Sequence, residues 1–242
     1  MKVLTLNLSV WTKYDTDYKN RIKEFNKLLQ EESPDIVFLQ EVFLFTELLD
    51  FINHDMQHPE YHVAETGGTN LMNSGLVVMS KYKIVSNLFT KFDSRYTFGM
   101  LSKIRPFGFQ HIIVLVGTTL MHLLNVHALP LEGSVWCDEN TLIQAIKSQI
   151  LQVYSYATPH THWIIAGDMN TNHDYIQKHY RCIPDKPTVH SMYPMNTYHA
   201  YHKRVDHIYS NMKILNAEII LNYRVSDHFP LVATLNIDTQ KI

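Results

Sequence analysis

Apolar and polar residues alternate through "KVLTLNLSV" (residues 2–10), the period of two that marks a strand with one buried face. The period then changes. In "DYKNRIKEFNKLLQEE" the apolar positions Tyr18, Ile22, Phe25, Leu28 and Leu29 fall three or four apart, which predicts an amphipathic helix closed by Ser33-Pro34. "DIVFLQEV" is a short apolar run and predicts a buried strand. "LFTELLDFINHDM" returns to helical spacing through Leu44, Leu48, Phe51 and Ile52. "GLVVMS" from Gly75, "HIIVLV" from His111 and "TLMHLLNV" from Thr119 predict strands, the last two joined at Gly117. A long helix begins at Asn140, with Ile143, Ile146, Ile150 and Val153 as its stripe. "HWIIAG", "VDHIYS", "KILNAEII" and "PLVATLNI" complete the strands. Strands outnumber helices about three to one and run the whole length. They predict an α/β protein of packed sheets with helices outside, one domain over residues 1–242, rather than a strict βαβ winding.

Composition narrows the function classes. Apolar residues make up 45% of the 242 and charged residues 18%, enough for a packed core and unlike a disordered chain. A formal net charge of −2 is not the footprint of a protein that grips duplex phosphates over a broad surface. The two cysteines, Cys137 and Cys182, form no CxxC pattern and so no metal knuckle. "MKVLTLNLSVW" is too short and too alternating for a cleaved signal, and no apolar run predicts a transmembrane segment. The expectation is a soluble monomer, cytoplasmic or exported without a cleavable signal peptide.

Chemistry-bearing residues gather at the ends of these strands. Asn7 lies in the first, Glu41 and His127 end two others, Asp168 and Asn170 follow "WIIAG", Asp206 sits in "RVDHIYS", and Asp227-His228 precede the last. Polar groups that terminate separate apolar strands can converge at one end of a sheet assembly. "GDMN" is equally a strand-ending turn in which Asp and Asn bond their own backbone. Asn7 can also serve a neighbouring backbone group, Asp206 a salt bridge with Arg204, and His127 the packing. His122, His162 and His207 are assigned to packing or surface. Carboxylates and amide oxygens suit a hard cation such as Mg²⁺, with Mn²⁺ able to substitute. Histidines suit phosphate contact and proton transfer near neutral pH.

"TLNL", "PDIVFLQEV", "GLVVMSKYKI", "LLNVHALP", "IIAGDMNT", "RVDHIYS" and "VSDHFPLVATL" follow the order and spacing of the endonuclease/exonuclease/phosphatase superfamily, and the chain resembles it over residues 2–236. The resemblance implies the deoxyribonuclease I-like fold, a four-layered α/β/β/α sandwich of two mostly antiparallel sheets. It implies a Mg²⁺-dependent phosphodiesterase working by metal-assisted attack of water. By the same resemblance Glu41 is the principal metal ligand, with Asn7 and Asp227 beside the metal. Asp168 orients or activates the water, and Asn170 holds a phosphate oxygen. His228 contacts phosphate with Asp206 fixing its imidazole, and His127 is a proton donor or phosphate contact.

Substrate choice is less legible. "FTKFDSRYTFGMLSKIRPFGFQH" interleaves aromatics with cations, Arg95 among them, either to stack bases or simply to form a strand pair. "HYRCIPDKPTVHSMYPMNTYHAYHKR" is a long Tyr- and His-rich loop containing Tyr198. Arg95, Tyr198 and Asn125 are the candidate substrate contacts. The leading expectation is a phosphate ester of nucleic acid, single-stranded or short, or of a nucleotide-like compound. A sphingomyelinase-like or inositol-phosphate activity stands second. A phosphate-binding protein without catalysis stands third, disfavoured because Glu41, Asp168 and His228 are all present.

Overall fold

The computed structural model describes residues 1–10, 17–43, 60–66, 74–93, 107–129, 139–170 and 205–237. Within them the chain forms β1 (Lys2–Val10), α1 (Tyr18–Glu32), β2 (Ile36–Val42), β3 (His62–Glu65), β4 (Val77–Ser80) and β5 (Lys83–Lys91). There follow β6 (Gly108–Val116), β7 (Thr119–His127), α2 (Glu139–Ala157), β8 (Trp163–Asp168), β9 (Asp206–Ser210), β10 (Ile214–Ile219) and β11 (Leu231–Leu235). Six strands pair in the order β10-β11-β1-β2-β4-β3, and five in the order β5-β6-β7-β8-β9. Among the described residues only β1–β2 and β7–β8 run parallel.

Alternation along the strands separates three apolar layers. Leu4, Leu6 and Leu8 of β1 meet Ile22, Phe25, Leu28 and Leu29 of α1. Val3, Ile36, Phe38 and Val78 from the larger sheet meet Ile112, Val114, Leu123, Ile164 and Ile208 from the smaller. Leu124, Val126 and Ile165 on the far face of the smaller sheet meet Ile150, Val153 and Tyr154 of α2. Each layer removes apolar side chains from water, and together they order the molecule as helix, sheet, sheet, helix. The four-layered sandwich expected from the sequence is the observed fold.

A buried amide network crosses the layer between the sheets. The Gln40 side-chain nitrogen donates to Asn125 Oδ1 at 2.7 Å, and Asn125 Nδ2 donates to the carbonyls of Leu39 at 2.9 Å and Val77 at 3.1 Å. Asn125 is wholly buried and all its amide groups are engaged, so the substrate contact expected of it is corrected: it stitches one sheet to the other. The second helix expected near Leu44–Ile52, most of the aromatic–cationic stretch with Arg95, and the loop with Tyr198 lie outside the described residues. Of that stretch, Phe89 and Lys91 belong to β5 and Phe109 is buried in β6.

Candidate active site

Three candidate residues occupy one row of the smaller sheet. His127 of β7 is the register partner of Asp168 of β8, and Asp168 is the partner of Asp206 of β9. Ile164, Ala166 and Ile208, two and four residues away on the same strands, face the larger sheet. His127, Asp168 and Asp206 therefore project between the sheets. Two carboxylates directly opposite each other repel, so the row is electrostatically costly unless cations offset it.

The opposing wall comes from the larger sheet. The Asn7 side-chain nitrogen donates to Glu41 Oε1 at 3.1 Å and to Asp168 Oδ2 at 3.0 Å, while Asn7 Oδ1 accepts the Ser9 N–H at 2.9 Å. The Ser9 contact fixes the amide orientation, since the reverse would set N–H against N–H. Asn7 thus holds two carboxylates together, and in this orientation presents a donor rather than the oxygen expected for the metal.

Glu41 reaches this wall by leaving the strand alternation. Val37 and Leu39 face α1, and regular alternation would send residue 41 the same way. Instead Glu41 takes φ +55°, in the left-handed region that side chains seldom adopt, and Val42 occupies the α1 layer in its place. Ser9 (φ +50°) and Asn170 (φ +49°) share this strain, so three non-glycine residues in that region surround one site.

The "GDMN" corner is a turn that presents a carboxylate. Gly167 has φ +140°, and a Cβ there would stand 2.0 Å from the Val126 carbonyl oxygen. Only glycine allows β8 to approach β7 this closely just before Asp168. The Asn170 N–H donates to Asp168 Oδ1 at 2.8 Å, and the Asn170 side-chain nitrogen donates to the Ala128 carbonyl at 2.8 Å. Gly167→Ala is expected to destabilise the fold by about 3 kcal/mol or more, a fall in Tm of roughly 6–12 °C. A Tm within about 2 °C of the parent in thermal unfolding would show that the approach relaxes easily.

His228 enters from the segment between β10 and β11. Its Nδ1–H donates to Asp206 Oδ2 at 2.7 Å, within the range of a charge-assisted bond. Its Nε2 lies 3.9 Å from Asp168 Oδ2, and His127 Nε2 lies 4.0 Å from the same oxygen and 3.6 Å from Glu41 Oε1. These spacings exceed a direct hydrogen bond, and both imidazoles converge on one carboxylate. Burial disfavours the His228 charge, yet the attraction and hydrogen bond of Asp206, joined by Asp168 and Asp227, raise its pKa to about 10. Burial, then the neighbouring Asp206, pushes the Asp168 carboxyl above its usual range, against the pull of His228, His127 and the Asn170 N–H.

One ligand atom from each of Asp168, Asp206 and His228 lies within 4.8 Å of the other two. Asp227, expected at the metal, stands outside this buried group. Its side chain is exposed and accepts the Ser226 hydroxyl at 3.0 Å. Arg21 carried no signal in the sequence, where it reads as one more charge on a helix surface. Its guanidinium donates to the carbonyls of Leu8 and Ser9 beside Asn7, and to the Val225 carbonyl at 2.7 Å, three residues before His228. It is a positioning residue that ties two walls of the site.

The family model of the endonuclease/exonuclease/phosphatase family matches residues 6–228, an interval that includes every one of these groups. The chain belongs to that family. A Drosophila melanogaster protein named as a neutral sphingomyelinase is 32% identical over 132 residues, which is 52% of this chain and 29% of that relative. Among solved structures, sphingomyelinase C from Streptomyces griseocarneus is similar with a TM-score of 0.74 at 16% identity, over 98% of this chain and 99% of that one. A Staphylococcus aureus beta toxin variant with bound magnesium ions gives 0.72 at 13% identity, over 96% and 98%. D. rerio TDP2 complexed with a single-strand DNA product gives 0.68 at 14% identity, over 98% and 99%. At these identities the structures establish the shared deoxyribonuclease I-like fold. Among the described residues no helix is long and apolar enough to cross a membrane.

Proposed function

We propose that the chain hydrolyses the phosphodiester of a choline-type phospholipid such as sphingomyelin, with Mg²⁺ as its ion. The convergence of Glu41, Asp168 and the Asp206–His228 pair on one point between the sheets carries the phosphodiesterase chemistry. The lipid assignment, a reversal of the nucleic-acid preference drawn from sequence, rests on the 32% identity to the Drosophila protein. A net charge of −2 also suits a zwitterionic headgroup better than a polyanion.

The donor set fits a hard divalent ion. Glu41 and Asp168, joined through the Asn7 amide, offer oxygen ligands, and the ionised form of Asp168 is disfavoured until positive charge arrives. Glu41 and Asp168 would hold the ion. When bound, it polarises the phosphoryl oxygens and stabilises the charge that builds on them.

The remaining steps belong to the protein's own side chains. Asp168, aimed by Asn7 and Asn170, accepts the proton of the attacking water as the new oxygen–phosphorus bond forms. The His228 imidazolium, its ring fixed by Asp206, turns Nε2–H toward the phosphoryl oxygens. His127, across the site, supplies a proton to the departing alcohol oxygen as the ester bond breaks. Asn170 has a second amide N–H beyond the one given to Ala128, and it serves the phosphate.

The test is a panel of sphingomyelin vesicles, single- and double-stranded DNA, RNA, inositol phosphates and bis-p-nitrophenyl phosphate, each with Mg²⁺ or with EDTA. Sphingomyelin should be cleaved fastest, and EDTA should abolish the reaction. Preferential cleavage of single-stranded DNA would replace the lipid assignment and leave the phosphodiesterase chemistry standing. Glu41→Gln should weaken Mg²⁺ binding and turnover together while the protein stays folded. Unchanged Mg²⁺ affinity by calorimetry would remove Glu41 from the metal.

A further inference from the structure

A second cluster of titratable groups lies on the other face of the smaller sheet. His111 is two residues beyond Phe109 on β6, and His122 two residues before Leu124 on β7. Phe109 and Leu124 both pack in the layer under α2, so alternation puts the two histidines on that face, away from His127 and Asp168. His160 joins them from the turn after α2. Along β7 the five residues from His122 to His127 span about 16 Å, on top of the change of face.

The three imidazoles are in close contact. His111 Nε2 lies 3.0 Å from His122 Nδ1. The His122 and His160 rings stack at 3.4 Å between centroids with planes 6° apart, and the His111 and His160 centroids are 5.7 Å apart. A ring nitrogen from each lies within 4.8 Å of the other two. Tetrahedral zinc with nitrogen at 2.0–2.1 Å needs nitrogens about 3.3 Å apart. One pair is already near that spacing, and His160, stacked on His122, would have to turn its ring out of the stack to bring its nitrogen to the ion.

The surroundings favour a nitrogen-bound cation. The group contains no carboxylate, which selects zinc, nickel or copper over magnesium. Burial, followed by the neighbouring imidazoles, holds His111 and His122 below their usual pKa, His122 at about 4, so both rings are uncharged at neutral pH, and the ion would take the place of the proton shared in their hydrogen bond. The site lies past the C-terminal end of α2, where the Thr158 N–H bonds the Tyr154 carbonyl and the His160 N–H the Ala157 carbonyl. The negative end of a 19-residue helix dipole faces that region.

We infer that His111, His122 and His160 bind one borderline divalent ion, zinc foremost, with solvent completing the coordination. This centre is separate from the phosphoesterase site. It fastens the turn between α2 and β8 to strands β6 and β7, and its role is stability rather than chemistry.

The experiment uses the whole chain in saturating MgCl₂, with Zn²⁺ as the probe. Equilibrium dialysis with elemental analysis counts bound zinc in the parent, His122→Gln and His160→Gln. Each variant should bind one equivalent less. Zinc at about 100 times its Kd should raise the parent Tm by roughly 5–10 °C, and that rise should vanish in both variants. Co²⁺ in place of zinc should give visible absorption bands that His160→Gln lacks. His160 is on a half-buried turn, so that variant decides the matter even where His122→Gln folds poorly. The same zinc stoichiometry and affinity in His160→Gln as in the parent would overturn the site.

Discussion

His228→Ala is expected to lower kcat/KM by about 10²–10⁴-fold with the fold intact, roughly 3 to 5 kcal/mol of transition-state stabilisation. The expectation follows from an imidazolium whose Nε2 faces the reacting region while Nδ1–H is given to Asp206 at 2.7 Å. Asp206→Asn should do comparable damage by a different route. It removes the main source of the upward shift to about 10, so the pH at which His228 loses its proton, and activity with it, should move toward neutral. The same shift acts on stability. The folded imidazole keeps its proton up to about 10, whereas an unperturbed one releases it near 6.5. The pair therefore contributes its full stabilisation below about 6.5 and loses it progressively as pH rises toward 10. Asp206→Asn should flatten that decline. In the double variant the rate losses should fall far short of multiplying, because the two side chains act as one unit. Independent, multiplicative losses would separate Asp206 from His228 and return it to the metal.

What could be read from the chain follows from the physics of each signal. β1, β2, β4 and β6–β11 rest on apolar alternation or buried runs, which depend only on neighbours in sequence, and they are legible. β3 and β5 are not. β3 is a four-residue edge strand, and β5 is exposed along much of its length, so neither carries a buried pattern. Strand-end polar residues marked Asn7, Glu41, His127, Asp168, Asp206 and His228, yet their geometry depends on features without local signature. The left-handed turn at Glu41 redirects a carboxylate that alternation sends toward α1. The opposition of Asp168 and Asp206 is set by the register between β8 and β9, which no local residue pattern encodes. Asn125 and Asp227 sit beside the right motifs, but one is sealed between the sheets and the other turned to solvent. Arg21 acts through backbone carbonyls, which no residue pattern reveals.

Asp168→Asn should separate stability from function. In the metal-free protein the Asp168 carboxyl is raised by burial and by Asp206, so its charge opposes the fold. An acid whose folded pKa lies above its unfolded 3.8 loses stability as pH rises through that interval, and the cost stays in place at neutral pH. The amide removes this cost. It also gives up one acceptor, because a single oxygen cannot serve both the Asn7 side chain and the Asn170 N–H as two carboxylate oxygens do. One lost hydrogen bond is worth about 1 kcal/mol. The two effects oppose each other, and metal-free stability should stay within about 1 kcal/mol of the parent. Activity should nonetheless fall by about 10²–10⁴-fold, since the amide can take no proton from water. Mg²⁺ should raise the Tm of the parent and do so much less in the variant, because the ion offsets a charge that is no longer there. Thermal unfolding with Mg²⁺ and with EDTA measures both. An Asp168→Asn protein that unfolds far below the parent in EDTA, or gains the same Tm from Mg²⁺, would mean that Asp168 holds the corner together and does not meet the ion.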